Sequence, residues 1–157
     1  MEINVGPLTI SAAHFIHTCE PNSPCQRLHG HNYTIDISLS GFINCNTCML
    51  IDANDVKRIV DKWDHKTLVA LKCVTKIYPG DVELLEITNP TTKKVYQIPA
   101  SDCVIIGVTA MSAEAMSNYL ATEIWLATGK ACTVRVTVRE TPKMSATSTI
   151  HAINTEE

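Results

Sequence analysis

The sequence predicts an α+β domain in which an antiparallel sheet carries two helices packed on one face. Three observations carry that expectation. Several stretches alternate apolar with polar residues, two others repeat apolar residues at the helical period, and the elements come as strands, then helices, then strands. At 157 residues the chain fits one domain, 1–157, and chains of this size hide roughly 70% of the surface they expose when unfolded.

From Tyr33 to Leu39, the apolar Tyr33, Ile35, Ile37 and Leu39 alternate with Thr34, Asp36 and Ser38. That is the period of a half-buried strand. The earlier stretch LTISAAHFI reads as a neighbouring strand, with Ile10, Ala12, His14 and Ile16 on one face. After a turn near GFINCNTCML, DANDVKRIVDKW reads as a helix. Asp52 or Asn54 can cap it, and Val56, Ile59, Val60 and Trp63 share a face. A second helix starts at Ser112. Met116, Leu120, Ile124 and Ala127 form its apolar stripe, and Gly129 lies just past its end. Between the helices, VELLEI and KKVYQI flank TNPTT, where Asn89 and Pro90 mark a turn, so a β-hairpin is expected. TVRVTVRE is the last strand read, with Val134, Val136 and Val138 on one face. The tail PKMSATSTI carries no readable motif.

A net charge of −3 argues against a protein that binds nucleic acid or a membrane surface through a basic field. No apolar run approaches the roughly 20 residues of a membrane span. The opening MEINVGPLTI lacks the basic and apolar regions of a signal peptide, so a cytoplasmic protein is expected. Of the seven cysteines at least one is unpaired, and in a reducing compartment each defaults to an inert or buried thiol.

The chemistry concentrates in SPCQRLHGHNY, Ser23 to Tyr33. His29 and His31 are two apart at a strand entrance, so both imidazoles point the same way. His14 sits on the neighbouring strand, and if the two strands pair, three imidazoles converge. Three neutral histidines leave a fourth tetrahedral position open, which is the catalytic kind of zinc site. A turn with a packed histidine is the plainer alternative. Cys25, four residues before His29, could ionise near a cation and act as base or nucleophile, or could close the site as a fourth ligand. Spacing does not separate these readings.

Glu140 continues the face of Val134, Val136 and Val138, so a carboxylate stands on an apolar face at a strand end. Unless the strand simply ends there in solvent, that position calls for a cationic or multi-donor partner. Asp64 and His65 follow Trp63, and an Asp–His pair can tune an imidazole for proton transfer, though adjacent residues need an irregular backbone to face one another. Glu114 lies in the first turn of the second helix beside Ser112, where ordinary capping chemistry also places acids. The pair Cys45 and Cys48 has no second cysteine pair at metal-binding spacing, and His17 and His151 read as surface or packing residues.

Taken in chain order, SAAH, CQRLHGH, MLID, WDHKTL, SAEAM and VRET resemble the 6-pyruvoyl-tetrahydropterin synthase and 6-carboxy-tetrahydropterin synthase family, over roughly Ile10 to Thr141. That resemblance implies a T-fold whose subunits join their sheets into a β-barrel, as a homo-oligomer and specifically a hexamer formed by a dimer of trimers, with active sites at subunit interfaces. It implies that His14, His29 and His31 bind Zn²⁺. The zinc would hold the hydroxylated side chain of the small-molecule substrate 7,8-dihydroneopterin triphosphate. Cys25 would be the catalytic base, Asp64 and His65 its relay, and Glu140 the anchor of the pterin, with Ser112 and Glu114 lining the same pocket. The CxxxHGH spacing is similar to the bacterial and archaeal carboxy type, which releases acetaldehyde and triphosphate on the way to queuosine or archaeosine. The pyruvoyl type and a branch forming 6-hydroxymethyl-dihydropterin, which uses an acid near the cysteine position as Glu20 is here, are the alternatives, and a zinc-containing pterin-binding T-fold protein is the non-enzyme one. Arg27, Lys66 and Lys143 are triphosphate candidates by charge. Two departures stand out: a longer segment between His65 and Ser112, read as a hairpin insertion at about 73–103, and Met111 and Ser112 where the family commonly has Pro and Thr.

Overall fold

A computed structural model describes residues 1–153, so the last residues of the expected domain lie outside the described part. In chain order the strands and helices are β1 Glu2–His14, β2 His29–Ser40, α1 Ala53–Asp61, β3 Lys66–Ala70, β4 Val74–Tyr78, β5 Leu84–Thr88, β6 Val95–Pro99, β7 Cys103–Ile106, α2 Ala113–Ala127, β8 Thr133–Thr141 and β9 Met144–Ile150. A six-stranded sheet runs in the order β7-β3-β1-β2-β8-β9, and a separate three-stranded sheet in the order β4-β5-β6.

The pairs β1–β2, β2–β8 and β8–β9 are antiparallel, as expected, but β3 joins β1 in parallel and β7 joins β3 in parallel. The sheet is therefore mixed. β3 and β7 are short apolar runs without alternation; in β3 both sides are covered, at Leu68, Val69 and Ala70, whereas β7 is an edge strand with Ile105 exposed. The predicted hairpin is β5–β6, and β4 adds the third strand to it. β9 fills the tail in which no motif was readable. Its apolar content is too low for a hydrophobic pattern, and it exists because β8 offers a free edge from Val134 to Thr141.

Alternation places Tyr33, Ile35, Ile37, Leu39, Val134, Val136 and Val138 on one buried face, while Asp36, Arg135 and Arg139 look away from it. Both helices lie on this buried face. Asp52 caps α1 by accepting a hydrogen bond from Asn54 N at 2.8 Å. Val56, Val60 and Trp63 are buried as the spacing predicts. In α2, Met116, Leu120 and Ile124 are fully buried, but Ala127 is exposed in the last turn, and Ala113, Ser117 and Ala121 widen the stripe instead. Truncating Leu120 to Ala would cost about 2–5 kcal/mol by leaving a cavity in this layer. Gly129 ends the helix with φ +63°, a left-handed conformation that glycine adopts without strain. No described helix is long and apolar enough to cross a membrane.

Candidate metal and active site

Antiparallel pairing sets His14 of β1 directly opposite His29 of β2, and Ala12 opposite His31. Because His29 and His31 share a face, one register brings all three imidazoles together. Their ligand nitrogens lie within 4.8 Å of one another, with His14 fully buried and the other two half-buried. The rings are mutually tilted or edge-on, and the Tyr33 ring stands edge-on to both His14 and His31.

Second partners fix the ring orientations. His14 Nδ1 donates to the Met111 carbonyl at 2.7 Å, and His29 Nδ1 donates to the Arg27 carbonyl at 2.7 Å. A carbonyl can only accept, so in each neutral ring the proton sits on Nδ1 and Nε2 keeps its lone pair. Burial pushes His31 below its ordinary pKa, which also favours the neutral form. The Met111 contact ties the start of α2 to the site across 97 residues of sequence. No local signal in the sequence could have revealed it.

Glu140 completes the arrangement in an unexpected way. Its Oε1 lies 3.2 Å from His14 Nε2 and 3.5 Å from His31 Nε2. Yet both His14 Nε2 and Glu140 Oε1 are buried without a hydrogen-bond partner. With the His14 proton committed to Met111, these are two lone pairs facing each other, and the contact is repulsive as it stands. A proton on His14 or a bound cation would relieve it. Three imidazoles converging on one point favour the cation, so the donor set fits a zinc-like ion. A proton on His14 Nε2, donated to the carboxylate, foremost, and then positive charge on His14, His31 and His29 would hold the Glu140 carboxyl below the usual carboxylate range, the ionised form that a bound cation also favours.

Cys25 lies in a single helical turn, Pro24–Gln26, that leads into β2 and is half-buried. Ser23 Oγ accepts a hydrogen bond from Cys25 N at 3.3 Å, and the Cys25 carbonyl accepts one from Ile16 N at 2.7 Å. Cys19 packs on the same loop, its thiol pushed up by burial and then by the neighbouring Cys25 thiol. Its proximity follows from the loop's path, which spacing did not show.

Asp64 and His65 face one another as the chemistry requires. The irregular backbone that adjacent residues need is there: His65 has φ +57°, and its Nδ1 lies 2.9 Å from Asp64 Oδ2. Reciprocal bonds lock the pair to β1, since Ser11 N donates to Asp64 Oδ1 at 2.8 Å and His65 N donates to Ser11 O at 2.7 Å. Ser11 N–H first, and His65 second, hold the Asp64 carboxyl below its ordinary range. The His65 side chain is 82% exposed and lines an open cleft of about 460 Å³ with Ser11, Ala13, Gly30, Asn32 and also Ala12 and His31. Ser11, Ala13, Gly30 and Asn32 alternate with His14, His29 and His31 and so belong to the opposite face of the β1–β2 pair, while His31 reaches the same cleft. Among the described residues no hydrogen bond or ion pair joins Cys25 to Asp64 or His65.

Ser112 caps α2, its Oγ accepting from Ala115 N at 3.4 Å, and Glu114 is exposed in the first turn. His17 is buried, a packing residue, with Nδ1 3.8 Å from the Cys73 thiol. Cys45 and Cys48 are exposed in the loop before α1.

Comparison with known proteins places this geometry. A protein of Pyrococcus abyssi provisionally named 6-carboxy-5,6,7,8-tetrahydropterin synthase is 29% identical over 140 residues, 88% of this chain and 84% of its own. The Bacillus subtilis 6-carboxy-5,6,7,8-tetrahydropterin synthase is 38% identical over a shorter stretch of 60 residues, 38% of this chain and 40% of its own. Among solved structures, the 6-pyruvoyl tetrahydropterin synthase of Plasmodium vivax superposes with a TM-score of 0.72 at 25% identity, covering 96% of this chain and 98% of that one. The fold is thus that of these synthases, α+β with two helices on a curled sheet. The sequence profile described as 6-pyruvoyl tetrahydropterin synthase matches residues 4–150, and the chain belongs to that enzyme family.

Proposed function

We propose that the protein is a zinc-dependent pterin synthase that converts 7,8-dihydroneopterin triphosphate to 6-carboxy-5,6,7,8-tetrahydropterin, releasing acetaldehyde and triphosphate. The observation that carries the proposal is the pair of opposed lone pairs on His14 and Glu140 within a three-imidazole cluster. The carboxy-type product is favoured by the names of the sequence relatives in Pyrococcus abyssi and Bacillus subtilis. Its place in queuosine or archaeosine synthesis follows from that product.

His14, His29 and His31 would hold the metal. When bound, zinc supplies Lewis-acid polarisation of the substrate's side-chain oxygens, which acidifies the neighbouring C–H bonds. Cys25 takes the role of the base that moves those protons, and its half-buried loop keeps bulk water away from the thiol. Asp64 holds Nδ1–H of His65, so His65 Nε2 is presented with a lone pair for relaying the proton. Because no hydrogen bond or ion pair connects Cys25 to the Asp64–His65 pair among the described residues, a neighbouring copy's dyad would serve each Cys25. With that arrangement the site would lie at a subunit interface, in keeping with a barrel-forming hexamer. Glu140 accepts two hydrogen bonds from the guanidine-like edge of the pterin, and Ser112 and Glu114 border the same pocket.

The test is mass-spectrometric identification of the product after zinc-loaded protein is incubated with 7,8-dihydroneopterin triphosphate, with acetaldehyde assayed in the same tube. Carboxypterin with stoichiometric acetaldehyde supports the reading. A pyruvoyl product, the reaction for which the Plasmodium vivax neighbour is named, would keep the family and replace the reaction. Unchanged substrate with zinc fully bound would leave a pterin-binding protein. Cys25→Ala separates the remaining rival: zinc should stay bound while turnover collapses, whereas loss of zinc would make Cys25 a ligand of a structural site.

A further inference from the structure

A second cleft, about 370 Å³, lies between the Cys25 loop and the turn of the β5–β6 hairpin. Ser23 and Arg27 wall it on one side, Thr91, Thr92 and Lys94 on the other. Its lining holds two fixed cations and three hydroxyls and no carboxylate, in a chain whose net charge is −3. An acid-free wall of guanidinium, ammonium and hydroxyl groups is suited to a polyphosphate.

The hydrogen bonds show which donors are free. Ser23 Oγ accepts from Cys25 N at 3.3 Å and also hydrogen-bonds the Cys19 thiol, whereas Thr92 Oγ1 accepts from Lys94 N at 3.5 Å, so its hydroxyl proton remains to be donated. Thr91, by contrast, spends its proton on the His17 carbonyl at 2.6 Å, and Lys93 Nζ donates to the Pro90 carbonyl at 2.7 Å. The two walls are pinned together by Asn89, fully buried, whose Nδ2 donates to the Gln26 carbonyl at 2.9 Å while Oδ1 accepts from Thr91 N and Thr92 N at 2.9 and 3.0 Å. The cleft is therefore a built recess, its two sides contributed by segments 63 residues apart.

Its position suits the substrate. Arg27 supplies the carbonyl that orients His29, so cleft wall and metal ligand share a strand entrance, within about 8 Å along the backbone. A substrate held at the imidazoles by its side-chain oxygens carries its triphosphate at the end of that same short side chain. Of the other basic candidates, Lys66 Nζ donates to the Ser101 carbonyl and lines the opposite cleft, and Lys143 stands at the β8–β9 turn.

Resting on the substrate reading given above, we propose that this cleft is the triphosphate subsite: Arg27 and Lys94 clamp the polyphosphate, and Thr92 donates to its oxygens. The β5–β6 turn, within the long segment between His65 and Ser112, supplies half of it.

Calorimetric titration of inorganic tripolyphosphate into the zinc-loaded protein tests the proposal, with bound zinc measured before and after, since the probe also chelates metal. Arg27→Ala and Lys94→Ala should each weaken binding about tenfold, the loss of one charge-assisted contact. Lys143→Ala should bind as the wild type does. Both basic side chains are exposed, and thermal melts check that the variants keep the fold. In kinetics the same two variants should raise KM for 7,8-dihydroneopterin triphosphate and leave the affinity for unphosphorylated 7,8-dihydroneopterin unchanged. Wild-type affinity in both variants, or no tripolyphosphate binding by the wild type, overturns the subsite. Turnover with unchanged KM in the variants overturns it while the reaction stands. Loss of tripolyphosphate binding in the variants, with no turnover by any form, supports a polyphosphate site and sinks the reaction.

Discussion

Replacing Asn89 by Ala should destabilise the protein by about 3 kcal/mol, more than a typical surface change and without removing any apolar contact. The figure comes from three hydrogen bonds. Asn89 Nδ2 donates to the Gln26 carbonyl, in a residue only 3% exposed, and Oδ1 accepts from Thr91 N and Thr92 N. Deleting the amide orphans the buried carbonyl, which costs about 2 kcal/mol, while the two amides nearer solvent recover water and lose about 0.5 kcal/mol each. For a chain of this size that corresponds to a fall in Tm of about 6–12 °C. Urea denaturation at one fixed protein concentration measures the free energy directly, and an unchanged m-value would show that the unfolded state is unaltered. Thr91→Val is the comparison, because it removes only the bond to the His17 carbonyl and should cost about 1 kcal/mol. If Asn89→Ala costs less than about 1 kcal/mol, or no more than Thr91→Val, the side chain is not the clamp between hairpin and Cys25 loop, and the reasoning fails.

Glu140→Gln keeps the shape and removes the charge. As a pterin anchor it should lower kcat/KM by about 10–100-fold with zinc stoichiometry intact, and loss of zinc would instead make Glu140 a ligand. Asp64→Asn should reduce kcat roughly 10²–10⁴-fold with zinc and substrate affinity unchanged, since an amide cannot hold His65 in the same tautomer; a variant with wild-type kcat would remove the dyad from the mechanism. Burial foremost, with Lys72 adding to it, pushes His17 below its ordinary pKa. The unfolded chain therefore binds a proton near pH 6.5 that the folded one refuses, and stability contributed above that pH is lost as pH falls toward the folded value. Wild-type Tm should accordingly drop faster than that of His17→Gln between pH 7.5 and 5, and parallel curves would refute this role.

What could be read from the sequence was whatever a short period or a neighbouring pair encodes. Tyr33 to Leu39 and Val134 to Val138 announced their strands because one face meets helices and the other does not. The Asp52 and Ser112 caps were legible for the same local reason. β3 was not, because a strand covered on both sides loses its alternation; β7 was not, because it is a four-residue apolar run at the sheet edge; and β9 was not, because pairing with β8 rather than hydrophobicity fixes it. Within the site, the histidines were legible from the two-residue spacing at His29 and His31. The Met111 carbonyl, the Asn89 clamp and Lys94 were not, since each acts on a residue far away in sequence or across a cleft.

The convergence of His14 with His29 and His31 depends on a break in the alternation of β1. Val5 is buried on an odd position, whereas Ile10, Ala12 and His14 are buried on even ones. The phase changes because β1 spends three residues from Val5 to Leu8 where β2 spends two from Ile37 to Ile35. That β-bulge holds Gly6 at φ +130°, where an added Cβ would stand 2.8 Å from the Ile35 carbonyl oxygen, so only glycine fits without rearrangement. A strand without the extra residue would keep Val5 in the core and turn His14 to the polar face, because a one-residue slip inverts every side chain. Metal-site geometry is thus set at some distance from the imidazoles, by backbone register, and the His29–Gly30–His31 spacing becomes a ligand pair only because that bulge delivers the third ring to the same face.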